Sequence, residues 1–445
     1  MLGLFDLCLA IKVSLPSQGS VLRLVFMKNK FALLRTPGFA WLWGGQTFSA
    51  FGSQIGSLAL AFIAVKLLGA GPQEMGVLSA AGTASFLLVG LVAGAWVDRW
   101  IKRRVMIIAD VIRMFCVGLI PLLYFTDRLS VWVVIVIAFV MGLATVFFDV
   151  AYQSFVPVLL PSDKIGAGNS ALETTNQVAG IAGPGLVGVL IDIFKAPTLL
   201  IIDAFSYLAS AFTLGMIKDN ETPKAKEDRK PLHEEIREGL RFVVRQPLIR
   251  RISLTTSVNN LFTSLLYSIF ALVFLGTEYL NYGAAALGLL GTFAAIGSLL
   301  GALATTKLIK WVGEGTLISL SAVVSGLNVL LVPIAVTLHN EATLPILLAM
   351  DFINGFAVLA YNITQVSARQ RLCPPELLGR MNASIRFFVW GVMPIGGLIG
   401  GAIAETYGVN AALWIGAIGG ALSCGFVLFS PLTTMRKLPD TAEAH

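Results

Sequence analysis

The feature that most constrains this chain is a series of apolar runs, each about 20 residues long and separated by short polar breaks. A run of that length crosses the hydrocarbon core of a bilayer as one helix, and it exceeds the ten-residue alternating strands of a membrane β-barrel. With only 13% charged residues, against about 25% in a soluble domain, the chain is not a cytosolic enzyme, a disordered chain or a collagen-like repeat. We predict an all-α integral membrane protein with twelve transmembrane helices in two pseudo-symmetric six-helix bundles. The predicted spans lie near residues 40–66, 74–97, 105–125, 131–155, 167–192, 197–217, 251–277, 283–306, 315–337, 343–366, 382–404 and 409–431.

The distribution of basic residues predicts the orientation of these spans. An even number of spans places both termini on one side of the membrane, and 27 of the 32 Lys and Arg residues fall in segments on that side. Three fall in the connections on the other side, and Arg113 and Arg386 lie within spans. Because basic residues are concentrated in cytoplasmic loops, we expect both termini and the central loop in the cytoplasm of a cell whose inner or plasma membrane holds the protein. The same rule explains the net charge of +7 without nucleic acid as a partner.

The two sets of six spans are nearly equal in length and carry a weak internal repeat. Pro161 followed by Asn169 in the first set recurs as Pro374 followed by Asn382 in the second, at the same topological position. Duplicated six-span halves are typical of secondary transporters with a site at mid-membrane between the halves, although chance matching of small residues is the alternative. Because Met27 begins a basic segment typical of a natural start, we expect residues 1–26 not to be native. The predicted division is a cytoplasmic segment 1–39, a first bundle 40–218, a linker 219–249, a second bundle 250–432 and a cytoplasmic tail 433–445.

The linker contains a predicted amphipathic helix over 233–246. Its apolar side chains, including Ile236 and Val244, share one face, and its charged side chains, including Glu238, share the other. Such a helix lies flat at the membrane surface. We interpret it as a structural link between two moving halves rather than as a partner site.

An acid and several bases occupy the connection between spans two and three. Asp98 could accept hydrogen bonds from a helix N-terminus of the other half, where the helix dipole favours an anion. Breaking such a latch would favour one conformation over another, whereas a turn that only carries cytoplasmic positive charge is the alternative. The candidate gating motif consists of Gly94, Asp98, Arg99, Lys102 and Arg103.

This motif resembles the loop signature G-x-x-x-D-R-x-G-R-R/K of the major facilitator superfamily, with Ile101 in place of the central glycine. In the corresponding loop of the second half, Gly301 and Lys307 are kept but the acid is lost, so the two halves are not equivalent at the gate. The resemblance implies the major facilitator fold and transport by alternating access.

Span five resembles the antiporter motif G-x-x-x-G-P-x-x-G-G of drug-exporting facilitators, with Val189 in place of the last glycine. Proline bends a helix and glycines let another helix approach closely, so ordinary helix packing is the alternative. The resemblance implies export rather than uptake. The candidate motif residues are Gly180, Gly183, Pro184 and Gly188.

Three further segments, Phe147–Gln153, Glu238–Phe242 and Gly379–Asn382, narrow the resemblance to the transmembrane secretion effectors. That branch includes macrolide-type drug exporters and the enterobactin exporter. The likeness extends from about Phe31 to Pro431 and does not identify a substrate.

Charged residues inside the predicted spans each need a partner or a role, because a charge at mid-bilayer costs at least ~2.5 kcal/mol. Arg113 and Asp149 lie at similar depth, and we hypothesise that they pair and that Asp149 takes up a proton when Arg113 moves away. A static ion pair is the alternative. Glu173 and Arg386 start spans five and eleven, where an ion pair between the halves would close the cytoplasmic entrance, and Asp351 could bind protons or a cationic substrate or simply hydrogen-bond a neighbouring helix. The residues assigned to proton coupling and ion pairs are Asp110, Arg113, Asp149, Glu173, Arg386 and Asp351.

Polar and aromatic residues within the pore-forming spans are the candidates for a substrate cavity. Such sites are mostly apolar with a few polar anchors, which suits a bulky amphipathic ligand, and Phe147, Phe262 and Trp390 would supply apolar walls. An aromatic side chain in a span can equally pack between helices or face lipid. The predicted cavity residues are Gln46, Gln54, Asn176, Gln177, Asn259, Tyr267, Asn354 and Tyr361.

The sequence therefore favours a secondary active efflux transporter, with a proton gradient as driving force and no cofactor. It contains no G-x-x-x-x-G-K-[ST] loop, metal-ligand cluster or nucleophile constellation, so we predict neither ATP hydrolysis, a metal site nor enzyme activity. Its expected partners are the lipid bilayer and a hydrophobic or amphipathic small molecule, and we expect a monomer. A dedicated siderophore exporter, an uptake facilitator and a non-transporting membrane sensor or scaffold remain alternatives.

Overall fold

The computed structural model describes residues 36–97, 100–218, 221, 232–374 and 377–438. The predicted chain start at Met27 lies outside them. All regular structure in these residues is helical, as predicted, and the first helix continues as a short π-helical segment over Ile63–Leu67. The α-helices are α1 Pro37–Phe62, α2 Pro72–Val97, α3 Lys102–Phe125, α4 Val131–Leu159, α5 Ser162–Ile193, α6 Ala196–Met216, α7 Leu232–Arg245, α8 Pro247–Leu275, α9 Ala284–Val312, α10 Glu314–Asn328, α11 Leu331–Leu338, α12 Thr343–Leu372, α13 Leu378–Gly391, α14 Met393–Tyr407, α15 Val409–Ser423 and α16 Gly425–Leu428.

Eleven helical segments in the described part of the chain are long and apolar enough to cross a membrane. The predicted fifth span lies within α5, a 32-residue helix that is not one of the eleven. Large apolar side chains cover much of the outer surface, and Phe115 and Leu303 are each about two-thirds exposed. Apolar surface on this scale needs a lipid environment, so the chain is a multi-pass membrane protein.

Two predicted spans are interrupted in the structure. The ninth is divided into α10 and α11 at residues 329–330, and the eleventh is divided into α13 and α14 at Val392. The second break falls just before Pro394, whose backbone nitrogen carries no hydrogen and so cannot donate the regular helical hydrogen bond. The predicted boundaries agree to within a few residues, except that α9 and α12 continue six residues past the predicted spans.

The helices α1–α6, here called the first half, pack extensively on one another, and so do α8–α16, the second half. In the first half α1 packs on α5 and α6, and α3 packs on α4 and α6. In the second half α8 packs on α14 and α15, and α9 packs on α12. Contact between the halves is concentrated in two places, where α5 meets α9 and where α2 meets α13 and α14.

The bundle has two unlike ends. The end that carries Lys102, Arg251 and Arg380 is called the basic end, and the end that carries Lys66 and Asn281 is called the far end. At the far end one continuous apolar core includes side chains from both halves, such as Leu78 and Leu266. At the basic end each half has an apolar core of its own.

Helix α7 lies at the basic end, and its bounds are within one residue of those predicted for the amphipathic helix. Val243 is buried in the core of the second half, whereas Val244, predicted on the same apolar face, is half exposed. Glu238, predicted on the outer face, contacts Arg380 at the start of α13. Because Gly239 has no side chain, the backbone of α7 can lie directly against Arg380 and Ser384 of α13.

Candidate functional site

A cavity of about 810 Å³ lies between the two halves. Helices α2 and α4 line it from the first half, and α8, α12 and α13 line it from the second. Ile236 of α7 and Gly379 and Arg380 of α13 belong to its wall, so the cavity reaches the basic end. The volume is in the range of small-molecule binding sites.

Close backbone contact between the halves seals the far end below this cavity. A Cβ atom added to Gly288 of α9 would lie 2.2 Å from the carbonyl oxygen of Pro184 in α5. One added to Gly76 of α2 would lie 2.7 Å from the Gly397 oxygen in α14. Such spacing requires glycine on both helix pairs, because any side chain would collide with the opposing backbone. The Lys66 Nζ also donates a 2.8 Å hydrogen bond to Asn281 Oδ1 across the halves.

One aromatic pair joins the halves between these two regions. The rings of Phe86 in α2 and Trp390 in α13 have centroids 4.9 Å apart. Trp390 lines the 810 Å³ cavity, while Phe86 lines a smaller cavity of about 250 Å³ inside the first half, together with Asp203 and Tyr207. The pair therefore lies between the larger cavity and the apolar interior of the first half.

The gating motif is only partly described by the structure. Gly94 lies near the end of α2, and Asp98 and Arg99 lie outside the described residues. The backbone nitrogen of Lys102 donates to Glu221 Oε2 at 2.9 Å, and its side chain forms an ion pair with the same carboxylate. Arg103 donates to the Ile217 carbonyl after α6. The bases of the motif thus hold the start of the linker against the first half.

The antiporter motif lies at a junction of three helices. Gly183 faces the side chain of Gln54 in α1, and Gly188 faces the backbone of Ala285 in α9. Pro184 packs against Gly288 and Gly291 of α9, whereas Gly180 has open space beside it. The motif therefore brings α5 close to its own half and to the other half at once.

The buried charges of the first half form a compact cluster. Arg113 donates a 2.5 Å hydrogen bond to Asp110 one turn earlier in α3, and its guanidinium lies over the rings of Phe148 and Tyr207. Asp203, 1% exposed, accepts a 3.2 Å hydrogen bond from Ser206. These contacts satisfy the requirement that a charge inside a membrane protein be paired or stabilised locally.

The two predicted long-range ion pairs are absent from the described contacts in this conformation. Asp149 forms no described ion pair or hydrogen bond, although it is within electrostatic reach of both Arg113 and Arg386. Glu173 is exposed and accepts a 2.8 Å hydrogen bond from Gln177. Arg386 is exposed in the wall of the cavity on α13. Asp149 and Arg386 come from different halves, so their separation depends on how the halves are arranged.

The predicted cavity residues do not line the 810 Å³ cavity. Gln46 donates to Ser210 at 3.1 Å, and Asn354 accepts from Ser325 at 2.7 Å. Asn259 accepts from Ser423 at 3.5 Å, and the Tyr361 hydroxyl lies 2.8 Å from that of Thr256, which does line the cavity. Asn176 and Tyr267 are exposed. Asp351 is partly buried on α12, one turn before Asn354.

The polar residues that line the cavity are ones the sequence-based prediction missed. Six of the nine lie on the basic-end halves of α12 and α13, which the hydropathy pattern assigned to a connection or left unremarked, and the other three lie on α4 and α8. One signal was available, because Asn362, Gln365 and Arg369 recur at helical spacing and so share a face. The missed polar residues are Gln153, Ser154, Thr256, Asn362, Gln365, Arg369, Arg380, Asn382 and Ser384.

Comparison with known families and structures explains this architecture. Residues 28–445 match the family model described as transmembrane secretion effector. The chain belongs to that family. Macrolide efflux protein A of Streptococcus pyogenes is 21% identical over 401 residues, which cover 90% of this chain and 97% of the relative. The multidrug efflux pump Tap of Mycolicibacterium fortuitum is 26% identical over 349 residues, covering 76% and 82%.

Solved structures show the same fold. A bacterial homologue of the iron transporter ferroportin in its inward-facing state overlays with a TM-score of 0.69 at 14% identity, covering 89% of this chain and 98% of the homologue. An outward-facing structure under the same description gives 0.56 at 16% identity, covering 88% and 98%. The family and the fold confirm the predicted major facilitator architecture. This member of the transmembrane secretion effectors is an efflux transporter, not an enzyme.

Proposed function

We propose that this transmembrane secretion effector exports amphipathic small molecules from the cytoplasm in exchange for protons, by alternating access. The observation that carries the proposal is the difference between the two ends of the bundle. A cavity between the halves reaches the basic end, while glycine-mediated backbone contacts seal the far end. Such an arrangement is one of the two states that alternating access requires.

The basic end is the cytoplasmic side in this proposal. Arg103, Arg251 and Arg380 lie there with the linker helix α7, as expected for the face that the positive-inside rule places in the cytoplasm of the inner or plasma membrane. The described conformation is then inward-facing. The larger TM-score with the inward-facing than with the outward-facing homologue supports this assignment.

Asp149 is the proposed site of proton coupling. It is partly buried on α4, it has no direct bonding partner among the described residues, and Arg386 within its electrostatic reach belongs to the other half. The protonation of a carboxylate depends on its burial and on the distance to the nearest cation. When the halves rock relative to each other, the distance to Arg386 changes, and proton uptake becomes tied to the conformational state.

The relatives support small molecules with large apolar surfaces as substrates, since their names are those of macrolide and multidrug efflux proteins. Val389 and Trp390 provide apolar walls in the cavity. The proton gradient is the only driving force in this proposal, with no bound cofactor and with a monomer as the working unit.

Proton release in energised inverted membrane vesicles tests the proposal. A pH-sensitive dye would follow the gradient while macrolides, dyes, tetracyclines and catecholate siderophores are added in turn. We expect a substrate-dependent loss of the gradient that is at least tenfold smaller with Asp149→Asn, while Glu341→Gln, a change of an exposed residue at the far end, leaves it intact.

The amount of protein in the membrane and the binding of an active compound would be measured for each variant. A compound that binds but causes no proton movement in the unaltered protein would count against proton antiport. Unchanged proton release by Asp149→Asn would remove that residue from the coupling role.

A further inference from the structure

We infer that the cavity at the basic end selects an amphipathic anion, with Arg369 as the anchor for its charge. The inference rests on the proposed function in one respect, since it takes the cavity between the halves as the substrate site. The first observation is that the charged residues in the described cavity wall are all positive. Three arginines line the cavity, namely Arg369, Arg380 and Arg386, and no Asp or Glu belongs to its described lining.

The three arginines differ in what neutralises them. Arg380 forms an ion pair with Glu238 of α7. Arg386 is within electrostatic reach of Asp149. Arg369 has no carboxylate partner among the described residues, so it is the cation of the wall that remains to be compensated. A cation in a partly buried site is costly unless it is paired, which favours one negative charge on the ligand.

Polar atoms without partners point to the same place. Among the described residues, the Nε of Arg369, the Oε1 of Gln365 and the Oγ of Ser384 are buried and have no hydrogen-bond partner. Gln365 and Ser384 are only 4% and 1% exposed, and all three residues line the cavity. Buried polar groups in native proteins are nearly always satisfied, so a set of three in one cavity indicates a polar ligand.

The geometry of α12 brings two of these groups together. Gln365 and Arg369 are four residues apart and therefore share one face of the helix. The guanidinium can only donate hydrogen bonds, whereas the unpartnered Oε1 of Gln365 can only accept. A ligand that satisfies both carries an anionic acceptor and, close to it, an N–H or O–H donor.

The remaining wall is suited to an apolar body. Leu91 of α2 and Val389 and Trp390 of α13 line the cavity, and Trp390 is 41% exposed. An aromatic ring of the ligand can stack on the indole, while the charged group lies at α12. The class of ligand is therefore an aromatic or polycyclic monoanion with a neighbouring hydrogen-bond donor, and not a cationic amphiphile.

A matched pair of fluorescent probes isolates the contribution of the charge. The probe 8-anilinonaphthalene-1-sulfonate is a monoanion with an N–H donor, and N-phenyl-1-naphthylamine has the same rings and N–H without the sulfonate. Binding of each would be measured to the full-length protein in phosphatidylcholine nanodiscs, with empty nanodiscs as the blank. We expect the anion to bind at least tenfold more tightly than the uncharged probe, because a hydrogen bond to a charged group contributes enough free energy for a tenfold change in affinity.

Three variants locate the effect. Arg369→Gln should weaken binding of the anion about tenfold or more and leave the uncharged probe unchanged. Gln365→Leu should weaken both probes several-fold, because both carry the N–H donor. Arg371→Gln is the matched control: it removes the same charge two residues further along the same helix, where Arg371 pairs with Glu314 at 2.6 Å outside the cavity.

Equal affinity for the two probes would overturn the inference, and so would unchanged binding of the anion by Arg369→Gln. An equal effect of Arg371→Gln would assign the preference to general surface charge and would overturn it as well. The result is separable from the proposed function. Selective anion binding at Arg369 without proton release in vesicles would leave this inference standing and reject proton antiport, whereas proton-coupled export with no preference for the anion would do the reverse.

Discussion

The two ends of the bundle hold the halves together by different means. At the far end the contacts run backbone to backbone, as between Gly288 and Pro184, and one apolar core continues across both halves. At the basic end each half has a separate core, and two ion pairs join helices to the linker, Glu221 with Lys102 and Glu238 with Arg380. The far end is closed by close packing of backbone and apolar side chains, while the contacts at the basic end include ion pairs between helices and the linker.

This difference indicates what each conformational step must accomplish. Opening the far end exposes apolar side chains, which water solvates poorly, and closely packed backbone, whose polar groups the bilayer cannot satisfy. We predict that closing the basic end brings α5 and α13 together, and with them the charges of Glu173 and Arg386. Perturbing the far end should therefore have the larger effect on the balance between the two states.

The largest effect is expected from Gly288→Ala. The added methyl group would lie 2.2 Å from the Pro184 oxygen and 2.9 Å from its carbonyl carbon. Overpacking of this kind costs about 1–3 kcal/mol, so the equilibrium should shift about tenfold or more toward opening at the far end, with a comparable loss of transport. Hydrogen exchange of the connection 276–283 and substrate flux would measure the two consequences.

Gly180→Ala is the control for that substitution. It lies in the same candidate motif, but a methyl group there meets nothing within 4 Å, and alanine is the better helix former. If both alanine variants lose transport equally, the motif acts through something other than close packing of α5 against α9.

A second, smaller effect is expected from charge reversal at Glu173 and Arg386. If these residues meet when the basic end closes, Glu173→Lys or Arg386→Glu alone should lower transport about tenfold, because like charges would then face each other. The double swap should recover transport to within about threefold, as measured by substrate flux in vesicles. Glu341→Lys, at the far end, is the control for a charge reversal away from the closing surface. A double swap as inactive as either single reversal would contradict the pairing.

The smallest effect is expected from Glu238→Gln, which removes the ion pair with Arg380. Both side chains are partly solvent-exposed, and pairs of this kind contribute at most about 1 kcal/mol. Amide exchange should rise within α7 (Leu232–Arg245) and remain unchanged at the far end. The matched variant Glu234→Gln removes an exposed charge from the same helix and should leave exchange unaltered. Faster exchange at the far end would show that the two ends are coupled through this pair.

Much of the fold was predictable because apolar runs and helical periodicity are local properties. The span over 131–155 and the helix over 233–246 correspond closely to α4 and α7. The boundary at 366 was less accurate, because α12 continues to Leu372 with Arg369 in its last turns. Hydropathy ends a span at the first charged residues, but a helix continues where a polar cavity solvates its side chains.

The candidate site was less predictable, because it depends on how each helix is rotated and which neighbour it meets. Gln54 was predicted to face the cavity and instead lies against Gly183. Arg113 was predicted to pair with Asp149 on another helix, and its described partner is Asp110 on its own. Asp110 is three residues away in the chain, whereas reaching Asp149 depends on the packing of α3 against α4.

The sequence by itself determined the membrane class, the approximate ends of most spans, the amphipathic linker helix and the glycine-rich segments. Each of these follows from interactions between residues close in the chain, or between the chain and the bilayer. Only the tertiary structure decided that Gly188 and Gly288 seal the far end against α9 and α5, and that Gln365, Arg369 and Ser384 line one cavity. Those relations join residues far apart in the chain, and the packing of helices, which no local pattern encodes, sets their distances.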